Sequence, residues 1–324
     1  MKKYLILFLA VLSLVSCRKQ VAGYESPTFE AKPVLNSVLT LGEPVWAQVS
    51  LAQGLDSVHI YFCKDAEVLL FVNGEFAERL RYDSERQLYV GATVAECGKQ
   101  YTCKVGINGF DTVEASTTIP PIPVLKDVEI LAGAYVNNEG ESLPAFMLTF
   151  ATDPSRELYY DTQIDAEMHY CDGIKSVDYM GHMNFSPDTD DPVLLNEGSE
   201  YLVFSNNIIN QNEYTLKVNP FFNSMSSCWY GNYDEEIVEP LHGKLVVHMD
   251  GLSESLYNYM KSYYTYIEHD AHDNLFLGVT TPFNHYSNVE NGYGIFGARA
   301  CYVSDTVHYN EELRIKNAEL RIKN

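Results

Sequence analysis

The chain lacks any apolar run long enough to cross a bilayer as a helix. Its longest, residues 4–15, is about a dozen residues, where a spanning helix needs roughly 20. It has no G-x-S-x-G, no H-E-x-x-H and no P-loop pattern, so the local signatures of serine hydrolysis, zinc proteolysis and nucleotide-phosphate binding are missing. Cys-x-x-Cys is absent too. The closest cysteines, Cys97 and Cys103, flank a turn at a spacing that does not suit zinc. Basic residues are scarce, 22 against 44 acidic for a formal charge of -22, and that field repels phosphates at long range. Nucleic acid and bare anionic lipid are therefore poor partners. Tryptophan is nearly missing, with 2 residues against 24 tyrosines and 15 phenylalanines, a balance that suits β-rich proteins in which tyrosine lies half-buried on pleated surfaces.

What is present begins with Met1-Lys2-Lys3, the apolar run 4–15 and the tetrapeptide Leu14-Val15-Ser16-Cys17. A charged start, a short apolar stretch and a small residue before a cysteine form a lipoprotein signal. Cleavage before Cys17 would remove residues 1–16 and leave the Cys17 thiol to take the lipid, palmitate among its acyl chains, with 17–32 as tether. The expected location is the outer membrane, by lipid anchor. Arg18-Lys19-Gln20-Val21 lacks the acidic cluster that similar lipoproteins use for surface export, so the side of the membrane stays open.

From residue 33 onward, short β-branched and aromatic stretches alternate with turn residues. Eight such stretches, at 34–39, 45–51, 57–63, 67–72, 76–82, 88–94, 101–107 and 112–119, have sandwich spacing. Asn73-Gly74 and Asn108-Gly109 mark tight turns, since both residue types accept positive φ. The run Ile119-Pro120-Pro121-Ile122-Pro123 stops any strand ladder, because proline offers no amide hydrogen. The expected fold is all-β: an N-terminal Ig-like β-sandwich over 33–122, then a larger β-rich domain over 123–310 with one short helix. That helix starts at Ser253 as N-cap, with Leu256, Met260, Tyr263 and Ile267 as its apolar stripe. Residues 311–324 carry the repeat Glu-Leu-Arg-Ile-Lys-Asn at a period of seven, too short for a coiled coil, and are expected to be disordered.

Four constellations could carry chemistry. His269, His272 and Asp273 are metal-capable groups at helical spacing, although a solvated loop after the helix is the stronger reading. Trp229, Tyr230 and Tyr233 form an aromatic stretch with little strand alternation, read as a loop whose rings could contact a ligand or fold over the core. Ser57, Thr112 and Thr306 each follow an aspartate and precede a valine, a pattern that resembles bacterial O-glycosylation sites. Gly292-Tyr293-Gly294-Ile295-Phe296-Gly297 satisfies G-x-G-x-x-G. No strand-to-helix context accompanies it, so turn and close-packing roles are expected and no cofactor is. Beyond Cys17 lie Cys63, Cys97, Cys103, Cys171, Cys228 and Cys301, which allow 15 pairings that sequence does not resolve.

Asp65-Ala66-Glu67-Val68, the run 98–105, Val113-Glu114-Ala115-Ser116-Thr117-Thr118-Ile119-Pro120, Leu256-Tyr257-Asn258-Tyr259-Met260, Pro282-Phe283 and above all the run 288–297 carry a likeness. Together they resemble the family known as domain of unknown function 4249, lipoproteins of Bacteroidota, over about 33–302. The resemblance implies an envelope lipoprotein whose relatives tend to be encoded near TonB-dependent receptors, and it brings no catalytic residues. The expected function is non-enzymatic ligand binding, or an accessory role beside such a receptor in nutrient uptake. A structural or adhesive surface module and a cryptic hydrolase are the alternatives. Paired carboxylates for hydrolysis cannot be picked out of 44 acids, because their separation is a property of the fold.

Overall fold

Burial alternates strictly along Pro33–Thr40 (β1), with Leu35, Ser37 and Leu39 inside and the intervening residues half-exposed. That period of two is what a sheet covered on one face demands. The computed structural model describes residues 30–54, 59–136, 140, 142–171, 175–183, 185, 189–198, 201–220, 227–230, 239–272 and 285–310. After β1 come Pro44–Leu51 (β2), Tyr61–Phe62 (β3), Glu67–Val72 (β4), Glu75–Arg79 (β5), Arg81–Asp83 (β6), Leu88–Val94 (β7), Gln100–Gly106 (β8) and Val113–Thr118 (β9). Asn73 and Gly74 both adopt positive φ, 52° and 85°, as the β4–β5 turn requires. The stretch expected as one strand over 76–82 divides at Leu80, which is buried and donates its N–H to the Val68 carbonyl at 2.9 Å. Before it, β5 pairs with β4; after it, β6 pairs with β7 in a different sheet.

The second half contributes Val124–Val136 (β10), Ser142–Ala151 (β11), Tyr159–Cys171 (β12), Lys175–His182 (β13), Val203–Ser205 (β14), Glu213–Val218 (β15), Ser227–Tyr230 (β16), Glu239–Leu252 (β17), Tyr293–Val303 (β18) and Val307–Asn310 (β19). Among the described residues there are two helices, Pro192–Glu197 (α1) and Glu254–His272 (α2). With 57% strand and 9% helix the fold is β-rich, consistent with all-β.

The expectation of one helix is corrected by α1. Six residues are too few to show helical periodicity, yet Asp191 caps it through Val193 and Leu194, Pro192 opens it and Gly198 closes it at φ 63°. In α2 the stripe shifts by one residue. Leu256, Tyr257, Met260 and Tyr264 face the body, while Tyr263 is exposed.

One long sheet runs β16-β13-β12-β17-β18-β1-β2-β7-β6, with β14 and β19 added at β12 and β17 and β3 at β2. A four-stranded sheet, β5-β4-β8-β9, shares a core with its N-terminal part, where Leu35, Val49, Val68, Tyr101, Val105 and Phe296 pack together. A three-stranded sheet, β10-β11-β15, shares a second core with its other part, around Phe146, Phe150, Ile164, Phe204, Leu216 and Val247. Two large cores thus form among the described residues, beside a smaller cluster of Val203, Leu252 and Leu256, and the strand pairing runs across residue 122. Strand β18 lies parallel to β1 from Val34↔Tyr293 to Thr40↔Arg299 and antiparallel to β17 from His248↔Val303 to Leu252↔Arg299. The described residues from Lys32 onward accordingly form one compact unit.

The run 288–297 is the clasp of this junction. The Asn288 side chain donates to the carbonyls of Ser116 and Phe296 and accepts from the Phe296 N–H at 3.0 Å. The Asn291 side chain donates to the Thr112 carbonyl, and the Asn36 side chain accepts from the Ile295 N–H at 3.2 Å. Gly297 lets α2 approach, since a Cβ there would lie 2.8 Å from that of Leu256.

Candidate functional site

Strand β12 presents Thr162, Ile164, Ala166 and Met168 to the second core region. The residues between them, Asp161, Gln163, Asp165 and Glu167, point to the opposite face of the sheet. On β17 the same alternation buries Leu245, Val247 and Met249 and turns Lys244, His248 and Asp250 outward. Register then sets Asp161 directly across from Asp250, and Asp250 across from Cys301 of β18. Like charges in opposed positions destabilise a sheet, so this pair is an unfavourable electrostatic placement.

The local chemistry follows. Burial, and then the charge of Asp250, push the Asp161 carboxyl up to about 6, against the pull of its contact with Gln163, of Arg299 and of His182. Burial also raises Asp250, which is held back by the Cys301 thiol, by Arg299 and by His248. The Cys301 thiol is pushed up to about 11, chiefly by burial and by Asp250, and is therefore a poor nucleophile at neutral pH. Asp165 sits between two imidazoles, with His182 Nδ1 at 3.3 Å and His248 Nε2 at 3.1 Å. At the edge of α2, Tyr264 stacks on Tyr201 with ring centroids 3.7 Å apart and feels the charge of Asp161. The face can hold a proton near pH 6 and can attract a cation.

The pair gives a direct expectation. Because the folded-state value of Asp161 lies above its ordinary 3.8, the folded protein binds more protons than the unfolded chain between about pH 4 and 6. Stability contributed by this group falls as pH rises through that window and stays low above it. Asp161→Asn should thus stabilise the protein at pH 7.5 by about 2 kcal/mol, with little effect at pH 4. Urea unfolding of both proteins at the two pH values reads it, and an equal difference at both would be inconsistent with this origin.

A cavity of about 260 Å³ opens elsewhere, where the proline run meets the second core region. Residues 120–124, 151–153, Arg156, 158–160, Gly251 and Leu252 line it. Gly251 is what allows the proline run to sit there, as a Cβ would fall 2.5 Å from the Pro121 carbonyl oxygen. Buried Asn206 fixes its polar edge: the side-chain amide donates to Thr152 Oγ1 at 3.1 Å and to the carbonyls of Asp153 and Arg156 at 3.0 Å, and its oxygen accepts from Leu158 N–H at 2.9 Å. Neither Asp161 nor Asp250 lines this cavity.

The residues singled out from sequence fall in several elements or outside the described residues. Cys17, Ser57, Tyr233, Asp273 and the tail 311–324 lie outside the described residues. His269 and His272 belong to the last turns of α2, so the loop reading of these two is corrected; their side chains lie outside the described ones. The helix continues because no glycine or proline interrupts 254–272. Trp229 and Tyr230 are likewise corrected from loop to strand. They occupy β16 at the edge of the long sheet, opposite Ser176 and Lys175, since strand pairing overrides a weak alternation pattern. Thr112 is exposed just before β9 and Thr306 is exposed between β18 and β19. The residues that sequence reading missed, Asp161, Asp250, Thr152 and Arg156, left one signal: the polar alternation 161, 163, 165, 167.

A family model described as domain of unknown function, DUF4249, matches residues 23–302. No curated protein matches the chain. Among solved structures, one from Corynebacterium diphtheriae, described as a presumed membrane-anchored protein, aligns at 10% identity with a TM-score of 0.20, covering 71% of this chain and 56% of its own. A score of that size does not establish a shared fold.

Proposed function

The chain belongs to the DUF4249 family, and from that premise we propose that it is a lipid-anchored protein of the outer membrane that binds rather than reacts, as an accessory to a TonB-dependent receptor in nutrient uptake. The observation that carries this is Leu14-Val15-Ser16-Cys17 behind a charged start and a short apolar run. No helix among the described residues is long and apolar enough to cross a membrane. In this reading a lipid on Cys17 keeps protein and receptor in one membrane plane, so that modest mutual affinity suffices at high effective concentration.

Hydrolysis is a second reading, and the facing carboxyls of Asp161 and Asp250 are the observation that favours it. It ranks behind binding because both carboxyls are pushed upward, whereas an acid and a base are made by environments that push two values apart.

Replacing Cys17 with Ser should abolish labelling by a radioactive fatty acid and release the protein from the outer-membrane fraction. Crosslinking in cells followed by affinity purification in mild detergent should recover a receptor with the parent protein and lose most of it with Cys17→Ser. Labelling that persists in the variant would remove the anchor, and recovery of the parent protein alone would move the reading to a structural or adhesive module.

A further inference from the structure

We infer that the cavity beside the proline run is a binding site for a small organic carboxylate with an apolar body. This deepens the binding function proposed above and rests on it. The walls are apolar and stiff. Pro120, Pro121 and Pro123 have fixed φ and no amide hydrogens to offer, and Tyr160 is buried and packed edge-on against Phe150 with centroids 5.1 Å apart. A pocket that is already rigid loses little freedom when it is filled.

The polar edge has donors to spare. Thr152 Oγ1 accepts from both the Tyr160 hydroxyl and the Asn206 amide, each at 3.1 Å, which leaves its own hydroxyl proton to give. Asp153 is well supplied: it accepts from the Ser155 N–H at 3.0 Å, the Ser155 hydroxyl at 2.6 Å and Arg156 Nε at 2.8 Å. Those contacts, Ser155 foremost, hold the Asp153 carboxyl below its ordinary range. Arg156 uses only Nε among the described residues, so the outer edge of its guanidinium keeps its remaining N–H groups in the planar fork that matches a carboxylate. An acceptor-rich, negatively charged head fits this edge and an apolar ring or branched chain fits the walls. The volume, about 260 Å³, limits the ligand to a compact molecule. Screening confines surface fields to about 8 Å at physiological salt, so acidic residues farther than that from Arg156 weigh little on an anion seated there.

The test uses the full chain in neutral detergent and phenylacetate as probe, followed by titration calorimetry at pH 7. Saturable binding is expected, and the uncharged phenylacetamide should bind at least ten-fold more weakly to the same protein. Arg156→Gln and Ile122→Asp, both at exposed side chains, should each weaken phenylacetate at least ten-fold while melting like the parent. Absence of saturable binding, equal binding of acid and amide, or unchanged affinity in both variants would overturn the site. The acid–amide comparison needs no variant, so a folding defect cannot mask the result. Failure here leaves Cys17 labelling and receptor recovery untouched, and is thereby separable from failure of the proposed function.

Discussion

Gly294→Ala is expected to cost at least about 3 kcal/mol and to leave a fraction of the protein unfolded at physiological temperature. Two independent penalties combine. The residue sits at φ 109°, outside the range an L side chain adopts without strain, which by itself costs about 1–3 kcal/mol. A Cβ would also fall 2.2 Å from the Leu35 carbonyl oxygen and 2.6 Å from Asn36 Oδ1, so β18 would have to move off β1 or Asn36 would lose its bond to the Ile295 N–H. That strand pairing joins the two core regions through the long sheet. Chemical denaturation of the variant should show a lower midpoint, and a midpoint equal to the parent's would mean that β18 does not bear on β1 as described. Gly74→Ala serves as a control, because its positive φ is the same kind of strain with nothing within 4 Å of the added atom.

Glu197→Ala should be comparably damaging, about 3–4 kcal/mol, although Glu197 lies in a helix of only six residues. Its side chain is 4% exposed and gathers four donors: the Ser205 N–H at 2.7 Å, the Ser205 hydroxyl at 3.0 Å, the Tyr257 hydroxyl at 2.6 Å and Lys261 Nζ at 3.3 Å. These come from β14 and α2, so a single carboxylate ties three elements together. Truncation leaves a largely buried ammonium and several donors without an acceptor, and removal of one partner from a buried pair costs far more than the pair is worth. Lys261 retains one bond, to the Glu197 carbonyl at 2.8 Å, which keeps the loss short of the upper limit. Glu197→Gln should recover part of the loss, since an amide oxygen still accepts from Ser205. Urea unfolding monitored by tyrosine fluorescence distinguishes the three proteins, and a loss below about 1 kcal/mol in the alanine variant would mean that water replaces the carboxylate at that junction.

Most strands were legible because sheet burial imposes a period of two on the residues themselves. Glu67–Val72 lies where the stretch 67–72 predicts, and the Asn73-Gly74 turn adopts its positive φ values. Short elements were not legible. The cap at Asp191 and the closing Gly198 define α1, but a single turn contains too few residues to repeat a pattern. The prolines near residue 122 do end a ladder, since β9 stops at Thr118 and β10 starts at Val124, and large cores lie in both sheet regions. The pairing of β1 with β18 joins residues more than 250 positions apart, and nothing local encodes that.

The candidate sites divide in the same way. Outward alternation on β12 was present in the sequence, but the opposition of Asp161 and Asp250 depends on the register between two strands almost 90 residues apart. A one-residue slip would have sent one carboxyl to the core side. The cavity depends on Gly251 giving way to Pro121, again a contact between distant segments. The sequence by itself determined the β class, the tight turns and the acid-rich composition, because each is a property of neighbouring residues or of composition. Only the tertiary structure decided which carboxyls face each other, which glycines must stay glycine and where donors collect beside an apolar hollow, because those follow from distances between residues far apart in the chain.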